Sequence, residues 1–160
     1  MQWKNKYIYP KSTRSIFQGS RHYSVNQENL PSVTTILKAT ESEEKRAKLE
    51  EWKKRVGYKQ AEVISREATS RGSSMHDYLE KFLLGKLNMD LLGDNTREKI
   101  MADQIIENGL RDKLSEIWGC EATLYYPGKY AGAADCIGIY ENKETIIDFK
   151  QSNKPKKDEW

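Results

Sequence analysis

The sequence predicts an α+β domain in which N-terminal helices pack on a small, mostly antiparallel sheet. Three observations predict it. Between residues 59 and 84, Ala61, Ile64, Ala68, Gly72, Met75, Leu79 and Phe82 recur at steps of three and four, the period of one helix face. The texture changes at Gly119, after which "CEATLYY", "YAGAADCIGIY" and "ETIIDFK" read as strands. Pro127-Gly128 and Glu141-Asn142-Lys143 stand between those strands as turn signals.

The elements follow in chain order. Residues 1–30 form a basic and aromatic arm: Lys4, Lys6, Lys11, Arg14 and Arg21 interleave with Trp3, Tyr7, Tyr9, Phe17 and Tyr23, and no acid precedes Glu28. "YIYPK" and "RHYSV" within it are strand-like, with Gly19 and Ser20 available for a turn. Residues 31–118 form the helical part. Pro31 begins a helical stretch, "PSVTTILKAT", and Thr40 with Glu43 has capping-box spacing for a second helix ending at Gly57. Its acids lead and its bases trail, which suits the helix dipole. Leu49, Trp52 and Val56 give it a narrow apolar stripe. The third helix spans about 59–84. A fourth is expected over 95–118, capped by Asn95 and Glu98, with Ile100, Ile106, Leu110, Leu114 and Ile117 on its buried side. Residues 119–150 supply the strands.

A chain of 160 residues suits one domain, 1–160. No segment has the roughly 18 consecutive apolar residues of a membrane span, and the N-terminus has no secretion-signal run; a cytoplasmic protein is the expectation. Cys120 and Cys136 form neither a disulfide framework nor a zinc motif and read as reduced, strand-borne apolar residues. Net charge is only +3, so its placement carries the information. The arm reads either as a nucleic-acid contact, with bases for phosphate and rings for unpaired nucleobases, or as a solvated arm whose aromatics are pinned to the core.

The last hairpin concentrates the chemistry. A turn near 141–143 places Asp135 opposite Asp148, or one step away opposite Lys150. Asp148 and Lys150 share one strand face, while Phe149 points to the other. Two carboxylates among Ile137, Ile146, Ile147 and Phe149 are costly without a cation, and oxygen donors suit a hard divalent one. His76 and Glu80 lie four apart at the edge of the third helix. Taken alone, His76 reads as a half-exposed residue paired with Glu80. Glu121 reads equally as a further ligand or as a solvent-facing strand residue.

Asp135 followed by "IIDFK" resembles the D…(D/E)xK signature of the PD-(D/E)xK nuclease superfamily. "SRGSSMHDYLEKFL" is similar to the helix motif of its RecB-like exonuclease branch. "LPSVTTIL", Trp52 and "SNKPK" narrow the likeness to the group of mitochondrial genome maintenance exonucleases and their phage relatives. The resemblance implies a restriction-endonuclease-like core and a Mg2+- or Mn2+-dependent DNA exonuclease acting on single strands or DNA ends, in a bacterial or phage-infected cell. It implies that Asp135, Asp148 and Lys150 are catalytic. His76, Asp135, Asp148 and the Phe149 carbonyl would hold metal, with Glu121 and Glu80 as second-rank ligands. Arg21, Arg71, Lys154, Lys156 and Lys157 would bind DNA. A further helix with a Gln-x-x-x-Tyr motif is expected after the lysine, and none is present before Trp160. A downstream segment or a partner is therefore expected to complete the fold. The alternative is a catalytically incomplete fragment acting as a nucleic-acid-binding module.

Overall fold

The computed structural model describes residues 1–86 and 96–152. It has the α+β architecture, with two sheets. The elements are β1 (Gln2–Trp3), β2 (Ser12–Phe17), β3 (Ser20–Val25), β4 (Glu28–Pro31), α1 (Val33–Ala39), α2 (Glu43–Val56), α3 (Tyr58–Leu83), α4 (Arg97–Ile105), β5 (Leu114–Tyr126), β6 (Tyr130–Tyr140) and β7 (Lys143–Ile147), with a π-helical segment, Ile106–Leu110, closing α4. The main sheet runs β1-β5-β6-β7, antiparallel except for the parallel β1 edge; β2-β3-β4 form a second, antiparallel sheet.

Helices α3 and α4 lie on one face of the main sheet. Met75, Leu79 and Leu83 of α3 and Ala102 of α4 bury against Leu114, Ile117 and Cys136. Full burial of each large aliphatic residue contributes roughly 1.5–3 kcal/mol, so this layer is the principal core. Farther along the same face, Tyr23, Val25 and Leu30 of the second sheet cover Ala131. The opposite face carries Trp118, Ala122 and Ile137, packed by Tyr9. Ser32 ties the layers together. It is buried, caps α1 by accepting from Thr35 N–H, receives a bridge from Ala131 and donates its own N–H to the Arg21 carbonyl.

Several expectations are corrected. The fourth helix ends at Ile105, and its π turn at Leu110; Leu114 and Ile117 belong to β5. Register shifts between Leu114 and Glu116 and between Ile117 and Gly119 insert extra residues into β5. Bulges of this kind put Leu114, Ile117 and Cys120, three apart, on one face against the helices, which imitates a helical period. Asn95 lies outside the described residues, and Thr96 caps α4. Pro31 ends β4 instead of opening a helix. The cap of α2 is Ser42, accepting from Lys45 N–H, so the Thr40–Glu43 box is not made. No residue of α2 is buried, and its Leu49 is exposed. "YIYPK" is not a strand; it crosses the sheet, with Lys6 over the Trp118 ring at 3.6 Å and Tyr7 edge-on to it. This part of the arm is pinned to the core. Gly57, at φ +87°, separates α2 from α3, as expected for a stop. Cys120 and Cys136 are unbonded to each other, and burial pushes both thiols up to about 12.

Candidate metal and catalytic site

The seam where helix layer and second sheet meet, on the same face of the main sheet, holds His76, Glu121 and Asp135. One ligand atom from each lies within 4.8 Å of the others. A break in strand alternation produces this. Cys120 and Cys136 face the helices, yet Ala122 and Ala134, two residues away on each strand, face the opposite cluster. Regular strands repeat every two residues. The ladder pairs Cys120 with Cys136 and Ala122 with Ala134, and skips the pair between them, Glu121 and Asp135. Glu121 takes φ +47°, a left-handed conformation uncommon for a non-glycine residue and costly by about 1–3 kcal/mol. Both carboxylates thereby turn toward α3.

The surrounding contacts fix the acids differently. Asp135 Oδ2 accepts the Phe149 N–H at 2.6 Å, and its Oδ1 lies 3.6 Å from His76 Nδ1. Burial alone would raise the Asp135 pKa, but His76 and the Phe149 amide outweigh it and hold the carboxyl below its usual range. The hydrogen bond to Asp135 raises His76 against the opposing effect of burial, and a backbone hydrogen bond with Phe149 adds to the rise. Glu121 is exposed as a residue, yet its carboxyl is partly desolvated. That desolvation, with the charges of Asp135 and Glu80, raises its pKa. The Phe149 ring is buried in the core and edge-on to His76 at 6.2 Å.

The group lines a cleft of about 810 Å³. Glu80, Asp148, Lys150 and Arg21 line it too, as does Arg14. Asp148 lies outside the three-residue group: it is exposed and accepts from Lys150 Nζ at 2.5 Å. β7 stops at Ile147, one residue short of Asp148, whereas the expected strand ran on to Lys150. Arg71 does not line this cleft; it pairs loosely with Glu67 at 3.9 Å, and its Nε is buried without a partner among the described residues. Lys154, Lys156 and Lys157 lie outside the described residues. Arg14 was legible only as one base in the arm, and its pairing opposite Tyr23 is what brings it to the cleft.

No protein-family profile matches the chain. Curated relatives do. The chain is 31% identical over 137 residues to mitochondrial genome maintenance exonuclease 1 of Mus musculus, covering 82% of this chain and 40% of that protein. The Homo sapiens protein of that name is 29% identical over 79% of this chain, and that of Xenopus tropicalis 31% over 79%. The chain thus spans about two fifths of the length of these relatives. The likeness to nucleases of this type that the motifs suggest is found.

Proposed function

We propose that this chain, similar over four-fifths of its length to proteins named as exonucleases, is a divalent-metal-dependent DNA exonuclease of PD-(D/E)xK type that hydrolyses phosphodiester bonds. The observation that carries the proposal is the convergence of His76, Glu121 and Asp135 beside Lys150 in one cleft with Arg14 and Arg21.

Mg2+ or Mn2+ fits the donor set: two carboxylates suit either ion, and the imidazole favours Mn2+. His76, Glu121 and Asp135 would hold the ion, with Asp148, Glu80 and the Phe149 carbonyl as additional donors. Bound there, the ion supplies Lewis acidity toward a phosphoryl oxygen and a water acidic enough to ionise near neutral pH. The remaining work belongs to the protein. The Phe149 N–H locks the orientation of Asp135. Lys150, steadied by Asp148, orients the attacking water and neutralises charge developing on the phosphate. Arg14 and Arg21 hold the DNA backbone by charge. The preferred substrate is a single strand or a DNA end.

The test is incubation of end-labelled single- and double-stranded DNA with Mg2+, Mn2+ or chelator. Shortening is expected with metal only, and Lys150→Ala is expected to lose it by at least about 100-fold at an unchanged melting midpoint. Degradation that persists in chelator, or at full rate in the Lys150→Ala protein, overturns the proposal.

A further inference from the structure

The charged cleft offers Arg14, Arg21 and Lys150 to a phosphate, and Tyr23, Val33 and Leu37 also line it. A second cleft, of about 400 Å³, opens on the other face of the main sheet, with Leu124, Tyr126, Tyr130 and Ile146 among its lining. Those residues share the face of Ala122 and Ile137 through the cross-strand pairs Leu124–Gly132, Tyr126–Tyr130 and Ile137–Ile146. The volume falls in the range of small-molecule pockets, about 300–1,000 Å³. Ile146 is 63% exposed and Tyr126 55%.

The two clefts adjoin, with Val33 at the border of both. Both are lined by Gly132, Ala133, Asp135 and Asp148. They meet where the outer edge of β6 is interrupted. β7 pairs with β6 only as far as Cys136–Ile147, and the next partner on that edge is Ser32, which bridges Ala131. Among the described residues, positions 132–135 have no β partner on that side, and the notch there lies between Val33, which stands against Gly132, and Phe149, whose N–H bonds Asp135 Oδ2. The far end of the apolar cleft also has a distinct chemistry. The Tyr126 and Tyr130 rings lie 6.0 Å apart at 34°, and Lys129 Nζ stands 5.6 Å from the Tyr126 centroid. The order is therefore phosphate chemistry at the notch, flat apolar surface beyond it, and a cation at the rim. Aromatic faces with a flanking cation recognise an unpaired nucleobase and the phosphate that follows it.

We infer that the tyrosine-lined cleft seats the base of the nucleotide adjoining the cleaved phosphodiester, the strand crossing the β6 edge at the notch. The inference rests on the nuclease reading above. It supplies a physical reason for preferring single strands, since a base carried across the β6 edge onto this surface is parted from its Watson–Crick partner.

The test compares single-stranded oligonucleotides, intact or abasic on one or the other side of the terminal phosphodiester, as substrates for the wild-type chain and for Tyr126→Ala/Tyr130→Ala. Stacking on aromatic side chains is worth roughly 5- to 150-fold per base. One abasic substrate is expected to raise the wild-type KM by that factor. The double variant is expected to show the raised KM on the intact strand and no further rise on the abasic one. Ile146→Glu, on an exposed strand position, should reproduce the loss and keeps the test decisive if the tyrosine pair is needed for folding. Equal wild-type handling of intact and abasic strands overturns the inference while leaving the nuclease reading standing. So does an abasic penalty undiminished in the variants. A wild-type chain that cuts no DNA overturns both readings.

Discussion

Glu121→Gln should make the metal-free protein more stable and the metal-loaded protein less so. Glu121 and Asp135 present carboxylate oxygens within 4.8 Å. Two unit charges at that distance repel by about 3.5 kcal/mol at an effective dielectric of ~20 and by about 0.9 kcal/mol in water. Glu121 is exposed, so solvent screens the pair toward the lower figure and relief of about 1 kcal/mol is expected. For a chain of this size that raises the melting midpoint by about 3 °C. The same substitution removes one of three charged or imidazole donors. At a metal concentration of 100 times Kd, the wild-type chain gains about 2.7 kcal/mol. A variant binding about 100-fold more weakly gains only about 0.4 kcal/mol. The order of stability therefore reverses between chelator and saturating Mn2+. The pH dependence has a fixed sign. The folded-state pKa of Glu121 is raised, so its penalty is present above that value and relieved as pH falls through it. The advantage of the variant in chelator must vanish on acidification below the ordinary carboxylate value of about 4.5. Thermal melts in chelator and in Mn2+, at pH 8 and pH 4, read both effects. A variant less stable than wild type in chelator at pH 8, or one with an undiminished Mn2+ shift, refutes the reasoning.

Other outcomes follow from the same geometry. His76 has a raised folded-state pKa, so its ion pair with Asp135 stabilises fully below about pH 6.5 and is lost as pH rises through the raised value; the melting midpoint in chelator should decline across that interval, and His76→Gln should abolish the decline. Over the same interval the Mn2+-induced gain should grow, because the ion requires a neutral imidazole. A Cβ at Gly138 would stand 2.0 Å from the Glu116 carbonyl oxygen, so Gly138→Ala should cost about 3 kcal/mol or more, measurable by denaturant unfolding. Asp148→Asn should leave the melting midpoint in chelator within about 1 °C, since Asp148 and Lys150 are both exposed, while hydrolysis falls by at least about 100-fold in a single-turnover assay.

The α+β class, the long third helix and the last hairpin were legible because each is written in local pattern: steps of three and four through Met75 and Leu79, and turn residues at Gly128 and Asn142. The start of β5 was not, because its bulges space Leu114, Ile117 and Cys120 as a helix would. The candidate site was legible in part. His76, Asp135, Asp148 and Lys150 are residue types with chemistry at motif spacing. Glu121 was legible only as an even choice between a further ligand and a solvent-facing strand residue. Which way its side chain turns depends on a left-handed backbone and on the paired break in alternation opposite Asp135, and local pattern encodes neither. Arg14 entered through sheet pairing across β2 and β3, a long-range fact that the arm's composition does not encode.

The most direct measurement is anomalous diffraction from a crystal soaked in Mn2+. A peak within about 2.5 Å of donor atoms of His76, Glu121 and Asp135 together is the predicted result. A peak on Asp148 that leaves those three side chains unliganded, or no peak in the cleft at all, contradicts it.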